Sequence, residues 1–255
     1  MVGGAGEVRG STREAGLIAL ARVMDAELRA SATVRTSSVG ARASPDSIGS
    51  VWLDAVAITD HGTMFGAMTF YEKANRAGIK PIIGCECYVA PRTLHDKTPA
   101  DHKGVAHLVL LAENQEGYRN LCAIVTQASF EGFYHRPRID KHILAKHSNG
   151  LIGLSACLKG ELPTLIRTGK IEEADEAAKF YVNLFGENNF FLEVQKNGIP
   201  DQEIVNRGLL DMHKRLSIPM VATNDCHYLN KSDVKAHGVL LCVQTGRTVN
   251  DDSRF

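Results

Sequence analysis

Residues 55–86 read AVAITDHGTMFGAMTFYEKANRAGIKPIIGCE, and this stretch decides the fold class. It begins with an apolar run at 55–59, continues with helical spacing over 64–77 and ends in a second apolar run at 81–84. A strand, a helix and a second strand in this order are typical of a unit with parallel strands and a helix packed on the sheet. The stretch therefore predicts an α/β fold.

The same alternation continues on the C-terminal side of this unit. The run at 88–90 either extends the strand at 81–84 or pairs beside it, and further apolar runs predict strands at 107–111, 151–155, 190–194 and 220–223. Helical patterns lie near 115–127, 162–167, 171–185, 204–216 and 231–241. Units repeated this often predict a mostly parallel sheet and favour a barrel over an open sheet, and 255 residues are enough for one barrel domain.

The composition excludes several classes of protein. Basic and acidic residues balance at 29 each, so no overall field attracts the chain to nucleic acid or an anionic membrane, although a local site could still bind phosphate. The sequence has no apolar window of about 18 residues and no apolar core of a secretion signal. The six cysteines are dispersed, which is typical of reduced cytosolic thiols rather than of a disulfide framework. We therefore expect a cytoplasmic protein with no membrane partner.

Residues 1–53 differ in character from residues 54–255, which read as one globular domain. The first segment contains no Lys, His, Phe, Tyr, Cys, Asn or Gln and consists mostly of Ala, Arg, Ser, Gly and Val. Apolar residues near helical spacing predict one helix from about residue 13 to residue 29. We expect a domain boundary near residue 53, and a flexible leader is one interpretation of the segment before it.

Side chains that bind metal ions follow several of the predicted strands. The strands of a parallel barrel end at one mouth, where the active site lies. Taken singly, an Asp-His pair or a Cys at a strand end is more often structural than functional. Imidazole, carboxylate and thiolate groups nevertheless recur after successive strands of this chain. The candidate ligands are His61, Glu86, His107, Cys157, Asp225 and His227.

This mixture of nitrogen, oxygen and sulfur donors suits zinc, with manganese or iron as alternatives. His107 is the least regular candidate because it opens its strand rather than closing it. Asp60 and His61 are adjacent and cannot easily point at one ion, so we interpret His61 as the ligand and Asp60 as a catalytic proton acceptor or a partner of the ligands. Several ligands at one mouth could also hold two ions that clamp a phosphate ester.

Arg136 and Arg138 flank Pro137 in a predicted extended loop. Arginine is suited to bidentate contact with phosphate, so both residues are candidates for binding a substrate phosphate. The alternative interpretation is a solvated loop with an ion pair to Asp140.

Most of residues 54–255 can also be compared with a known family. The matching stretches include AVAITDHGTMFG, GFYHRPRID, GLIGLSACLKGEL and VATNDCHYLNKSDVKAHGVLLCVQTG. They resemble the polymerase-and-histidinol-phosphatase (PHP) domain at the N-terminus of the bacterial replicative DNA polymerase III alpha (catalytic) subunit. The run from ATNDCHY to LLCVQTG resembles this polymerase branch more than the free-standing phosphatases.

The resemblance implies a distorted (β/α)7 barrel that holds up to three metal ions. It places the six candidate ligands at ligand positions, with Asp60 beside the first. Where such a site is intact, the family implies metal-dependent phosphoester hydrolysis, including 3′–5′ exonuclease activity on DNA. Where it is degenerate, the domain supports the polymerase and docks a proofreading exonuclease. The implied partners are DNA, through the parent polymerase, the proofreading exonuclease subunit and other replicase subunits.

The sequence departs from the family pattern at its start. The family has a first strand followed by His-x-His, whereas this chain has no histidine before His61. We therefore expect a barrel without its native first strand, an incomplete metal site and weak or absent activity. We interpret residues 1–53 as non-native, through a reading-frame error or a wrongly chosen start. The chain also stops where the family continues into polymerase domains, so we expect a fragment that does not polymerise nucleotides by itself.

Three functions stay open at this point. The first is a PHP-domain fragment of a DNA-directed DNA polymerase (a nucleotidyltransferase), with an impaired phosphoesterase site. The second is a non-catalytic module that docks a proofreading exonuclease or supports the polymerase core. The third is a stand-alone phosphatase of the histidinol-phosphate type, against which the long match to the polymerase branch argues.

Overall fold

The computed structural model describes residues 20–21, 55–228 and 231–251, which form one curved sheet with helices around it. The strands are β1 (Leu20–Ala21), β2 (Ala55–Ile58), β3 (Lys80–Val89), β4 (Ala106–Ala112), β5 (Arg138–Ile139), β6 (Leu151–Leu154), β7 (Phe190–Gln195) and β8 (Met220–Thr223). The helices are α1 (Ala67–Arg76), α2 (Pro99–Lys103), α3 (Gln115–Phe130), α4 (Lys141–Lys146), α5 (Glu161–Arg167), α6 (Ile171–Phe185), α7 (Pro200–Leu216) and α8 (Val234–Thr245).

The strands follow the order β1-β2-β3-β4-β6-β7-β8, and the short β5 pairs with the end of β3. Most neighbours run parallel, as the repeated strand–helix units predicted. Over the described ranges no pairing joins β1 to β8, so these strands form an open part of a barrel. The predicted α/β architecture is confirmed.

The direction of β4 was not predicted. This strand runs antiparallel to both β3 and β6, whereas strand-and-helix alternation indicated parallel neighbours throughout. The reversal has a simple cause: only the five-residue helix α2 and its loops separate β3 from β4, while a parallel connection usually needs a full crossover helix. As a result, the first residue of β4 lies at the edge where the parallel strands end.

Two apolar layers hold the sheet between them. The side chains of β4 alternate, so Leu108 and Leu110 pack in the layer shared with the helices, and Val109 and Leu111 pack in a smaller layer on the other face. Because β4 is apolar on both faces, it reads as a continuous hydrophobic run rather than an alternating one. The smaller layer forms the floor of the concave face.

Side-chain caps fix where two of the helices begin. The Oδ1 atom of Asn114 accepts hydrogen bonds from the N–H groups of Glu116 and Gly117, both at 3.0 Å, at the start of α3. Asp140 accepts from the N–H of Ile143 at 2.9 Å at the start of α4. These bonds satisfy N–H groups that have no partner inside the helix, so each chain reversal occurs at a defined residue.

The segment before β2 corrects one prediction. Leu20–Ala21 lie within the predicted helix at 13–29, but they form a strand that pairs in parallel with Ala57 and Ile58. The edge of β2 therefore carries a two-residue strand, which is consistent with the tendency of an exposed strand edge to find a partner. The remainder of the predicted helix and of the 1–53 leader lies outside the described residues.

No helix in the ranges that the structure describes has the length and apolar character needed to cross a bilayer.

Candidate metal centre

Three of the predicted ligands form a compact cluster on the concave face. One donor atom from each of His61, Glu86 and His107 lies within 4.8 Å of the others. Oε1 of Glu86 is 3.5 Å from Nδ1 of His61 and contacts Nδ1 of His107. Glu86 and His107 are buried, while the side chain of His61 is 32% exposed, so the cluster opens to solvent on the His61 side.

Backbone pairing beyond the end of β2 holds His61 beside Glu86. The N–H of Glu86 donates to the carbonyl of Asp60 at 3.0 Å, and the N–H of Gly62 donates to the carbonyl of Glu86 at 2.9 Å. Gly62 then leaves the strand with a φ of +66°, and a Cβ at this position would lie 2.7 Å from Cγ of Pro137. The sequence ITDHG therefore ends in glycine because the turn needs both the left-handed conformation and the space.

His107 reaches the same place from the opposite direction. It lies opposite Tyr88 in the antiparallel pairing of β3 and β4, and its N–H donates to the carbonyl of Lys159 at 2.9 Å. Because β4 is reversed, the position that looked irregular in the sequence is at the mouth. The irregularity of His107 was a consequence of assuming parallel strands.

Cys157 lies at the edge of the cluster. Its Sγ is 3.5 Å from Nδ1 of His107. Ala156 adopts a φ of +64°, and the N–H of Gly160 donates to the carbonyl of Cys157 at 2.8 Å, so the chain turns sharply after β6. This turn brings the thiol from the end of β6 to the start of β4.

Asp225 and His227 form an adjacent group after β8. The ring of His227 lies 6.3 Å from that of His61, and its Nδ1 is 3.9 Å from Oδ1 of Asp225. The structure thus brings both residues to the same mouth, but outside the compact cluster of three.

His237 on α8 was not among the predicted site residues, and it packs beside the site. Its ring centre is 5.7 Å from that of His227. Burial, together with the nearby imidazole of His227, lowers the pKa of His237, which favours the neutral ring. The sequence did not predict this contact because it depends on how α8 packs against the loop after β8.

Asp60 does not join the cluster of donor atoms. Its main-chain carbonyl accepts hydrogen bonds from Glu86 and from the thiol of Cys85. A Cβ on Gly66 would lie 3.2 Å from its Oδ2, so the carboxylate is beside the start of α1. A carboxylate in this position is favoured by the positive end of the helix dipole.

The two candidate arginines have different environments. Arg138 is fully buried, and its guanidinium donates to the carbonyls of Gly132, Asp96 and Leu94 at 3.1, 2.9 and 3.0 Å. Through these three hydrogen bonds, Arg138 joins its own segment to residues 94–96 and to Gly132. Arg136 is half-buried and lies over the ring of Tyr88 at 4.7 Å, near the cluster.

A buried carboxylate that we did not predict as a site residue lies on β7. Glu193 accepts hydrogen bonds from Oγ1 of Thr223 at 2.5 Å and from Nε2 of Gln195 at 3.1 Å. Its N–H donates to Oγ of Ser155 at 2.8 Å. These bonds tie together the ends of β6, β7 and β8, and predicted ligands follow β6 and β8. The signal in the sequence was an acid inside the apolar run FFLEV.

A large cavity adjoins the cluster. It has a volume of about 1200 Å³ and is lined by His107 itself. The basic side chains in its wall include Lys103, Arg136, Lys141 and Lys159. Acidic side chains of α5 and α6 also line it, and one of them, Glu161, is paired with Lys141. The cavity is large enough for a phosphorylated substrate, and its basic groups could contact phosphate.

The donor set fits a divalent metal ion. Two imidazoles and one carboxylate are a ligand set found in catalytic zinc sites that keep a further position open. The carboxylate of Glu86 is buried between the two rings, where a cation would offset the unfavourable burial of its charge. The cluster can therefore hold a divalent ion.

Comparisons with known proteins agree with this geometry. The PHP domain family matches residues 50–197. DNA polymerase III subunit alpha of Saccharopolyspora erythraea is 42% identical over 223 residues, which is 80% of this chain and 19% of that protein. The corresponding subunits of Treponema pallidum and Thermus aquaticus are 44% and 43% identical, covering 79% of this chain and 17% of each relative.

A solved structure from Bifidobacterium adolescentis, provisionally assigned as a metal-dependent phosphoesterase, has a TM-score of 0.44 and 13% identity. It covers 70% of this chain and 79% of that chain, and a likeness this weak supports no conclusion. The match to the PHP family, by contrast, spans more than half of the chain and includes all three clustered ligands, His61, Glu86 and His107. The chain belongs to the PHP domain family.

Proposed function

We propose that this chain is the PHP portion of a replicative DNA polymerase III alpha subunit, acting in the cytoplasm in DNA replication. The site would bind a divalent ion and hydrolyse phosphoesters, with weak 3′–5′ exonuclease activity on DNA. The observation that carries the proposal is the cluster of His61, Glu86 and His107 at the mouth of a PHP-family sheet.

The relatives support the polymerase context. Each of the three subunits compared above is named as DNA polymerase III subunit alpha, and the chain spans less than a fifth of their length. Polymerisation, DNA binding and assembly with other replicase subunits are thus properties proposed for a parent protein.

The residues of the cluster have distinct tasks in this proposal. His61, Glu86 and His107 would hold the ion, with Cys157, Asp225 and His227 as further ligands around it. Zinc suits the mixed nitrogen, oxygen and sulfur donors, and manganese or iron are the alternatives. When bound, a divalent ion would polarise a phosphoryl oxygen and activate water.

Two more residues complete the proposal. Arg136 lies near the cluster and lines the cavity, so it would bind a substrate phosphate. Asp60 directly precedes His61 at the end of the strand pairing, and we assign it the role of proton acceptor or partner of His61. Weak activity is expected because no histidine precedes His61 in the chain, and the imidazoles of a His-x-His motif are absent.

The test is release of nucleotides from a 3′-labelled oligonucleotide in the presence of zinc or manganese. The wild-type chain should release label slowly, and His107→Ala should reduce release to background. His142→Ala is the matched control because His142 is exposed on α4, away from the cluster. Equal background signals from all three proteins would contradict the catalytic part of the proposal.

One observation favours a second candidate, a non-catalytic docking module. Apolar side chains of α8 are exposed, with Val239 at 52% and Val243 at 75%. Such a surface suits a protein contact better than solvent. In this case the chain would bind a proofreading exonuclease subunit or the polymerase core, and a pull-down with the purified exonuclease subunit would distinguish it from a simple hydrolase.

A further inference from the structure

Tyr88 touches both imidazoles of the cluster. Its ring is stacked on that of His61, with 5.5 Å between centres and 17° between planes. The same ring meets His107 edge-on, at 5.2 Å and 80°. The rings of His61 and His107 are themselves 5.3 Å apart at 77°, so the three rings form one packed group.

The fold leaves Tyr88 little freedom. It is two residues after Glu86 on β3, so both side chains point to the same face of the sheet. It lies opposite His107 in the strand pairing, and the guanidinium of Arg136 covers its ring at 4.7 Å. On another side, a Cβ at Gly62 would lie 3.2 Å from two of its ring atoms. The ring is therefore fixed by the strand, the turn after His61 and the loop that carries Arg136.

Fixed neighbours matter because a metal-binding imidazole must present one nitrogen in one direction. In most sites, a hydrogen bond to the other ring nitrogen sets this orientation. Here a stacked face limits rotation of the His61 ring, and an edge contact limits rotation of the His107 ring, since turning either ring would collide with Tyr88. Both contacts act on the two imidazoles that flank Glu86.

We propose that Tyr88 is a positioning residue of this metal centre, orienting His61 and His107 through ring contacts and placing Arg136 beside the ion. The proposal rests on the metal centre of the proposed function. It assigns no direct bond between Tyr88 and the ion, so the aromatic ring is required and the hydroxyl is not.

The test compares zinc affinity among the wild-type chain, Tyr88→Phe and Tyr88→Leu by competition with a chromophoric chelator. Tyr88→Phe should bind zinc as the wild type does, because it keeps the ring. Tyr88→Leu should bind about tenfold more weakly, the lower end of the loss seen when groups that orient ligands are removed. Visible spectra of the cobalt-loaded proteins provide a second measurement, with an altered band pattern expected for Tyr88→Leu alone.

Each outcome decides between the two proposals. If the wild type binds no zinc or cobalt, the metal centre and the role of Tyr88 are both overturned. If the wild type binds and Tyr88→Leu binds equally with the same spectrum, only the role of Tyr88 is overturned. Circular dichroism checks folding, and Tyr88→Met replaces Tyr88→Leu if the latter unfolds. Unfolding of both variants would show that Tyr88 is structural and would also overturn its positioning role.

Discussion

At the scale of single residues, two arginines with the same local sequence context have different environments. In the sequence RPR, Arg136 and Arg138 were equal candidates for binding a substrate phosphate. Only the tertiary structure separates them, because Arg138 donates to the carbonyls of Leu94, Asp96 and Gly132, while the guanidinium of Arg136 lies over the ring of Tyr88. Nothing in the local pattern encodes which side of an extended segment becomes buried.

This difference predicts that replacing Arg138 affects the free energy of unfolding much more than replacing Arg136. Arg138→Met should lower the free energy of unfolding by about 3 kcal/mol, since it removes charged hydrogen bonds and leaves buried carbonyls without donors. Arg136→Met should change it by no more than about 0.5 kcal/mol. Urea unfolding of the two variants measures both changes in the free energy of unfolding. An Arg138→Met protein as stable as the wild type would contradict the structural role of this arginine.

The carboxylate of Asp101, in the N-terminal cap of α2, stabilises the fold in a pH-dependent way. The hydroxyl and N–H of Thr98 donate to the carboxylate of Asp101. The pKa of Asp101 is lowered from its ordinary value of 3.8, chiefly by the hydrogen bond from the Thr98 hydroxyl. Because this pKa is lowered in the folded state, the ionised carboxylate stabilises the fold fully above pH 3.8. This stabilisation is lost as the pH falls through the pKa that Asp101 has in the folded protein.

Asp101→Asn should therefore melt at a lower temperature than the wild type at pH 7, and the difference should shrink as the pH falls below 4. Melting curves at a series of pH values measure this convergence. A difference that stays constant down to pH 3 would show that the carboxylate charge is not the cause.

At the scale of elements, the sequence predicted the long strands and helices and missed the short ones. Apolar runs such as 107–111 and 220–223 correspond to β4 and β8 because a buried strand needs an uninterrupted run. The elements α2, β5 and α4 have two to six residues, too few for a period to show. The reversal of β4 was also hidden, since strand patterns carry no direction.

Close packing at the start of α3 gives a prediction for this scale. A Cβ on Gly117 would lie 1.7 Å from the carbonyl oxygen of Gly150, with backbone on both sides of the contact. Gly117→Ala should therefore cost about 1–3 kcal/mol in unfolding free energy, the usual range for an overpacked site. Glu116→Ala, in the same turn but exposed, is the control and should have little effect. Equal stability of both variants by chemical unfolding would contradict the close approach.

At the scale of the whole molecule, the chemistry of the site was easier to predict than its geometry. Five of the six ligand candidates follow apolar runs and His107 opens one, and the structure brings all six to one mouth. The structure separates the candidates into three groups. These are the cluster of His61, Glu86 and His107, the thiol of Cys157 at its edge, and the pair of Asp225 and His227 after β8. That division depends on strand direction and on sharp turns at Ala156 and Asp225, which no local pattern predicts.

The side chains that surround the cluster of His61, Glu86 and His107 could not be predicted from the sequence either. Tyr88, Glu193 and His237 have no special signal in the sequence apart from the acid in an apolar strand. Each becomes relevant through its neighbours: two imidazoles for Tyr88, a hydroxyl and an amide for Glu193, and His227 for His237.

The central claim is that His61, Glu86 and His107 hold a divalent ion, and metal content tests it most directly. The purified chain, loaded with zinc and dialysed, is analysed by plasma mass spectrometry beside His107→Ala and the exposed control His142→Ala. We predict at least one tightly held ion per chain in the wild type and the control, and loss of that ion in His107→Ala. A wild-type chain that retains no ion, or a His107→Ala variant that retains as much as the wild type, would contradict the claim.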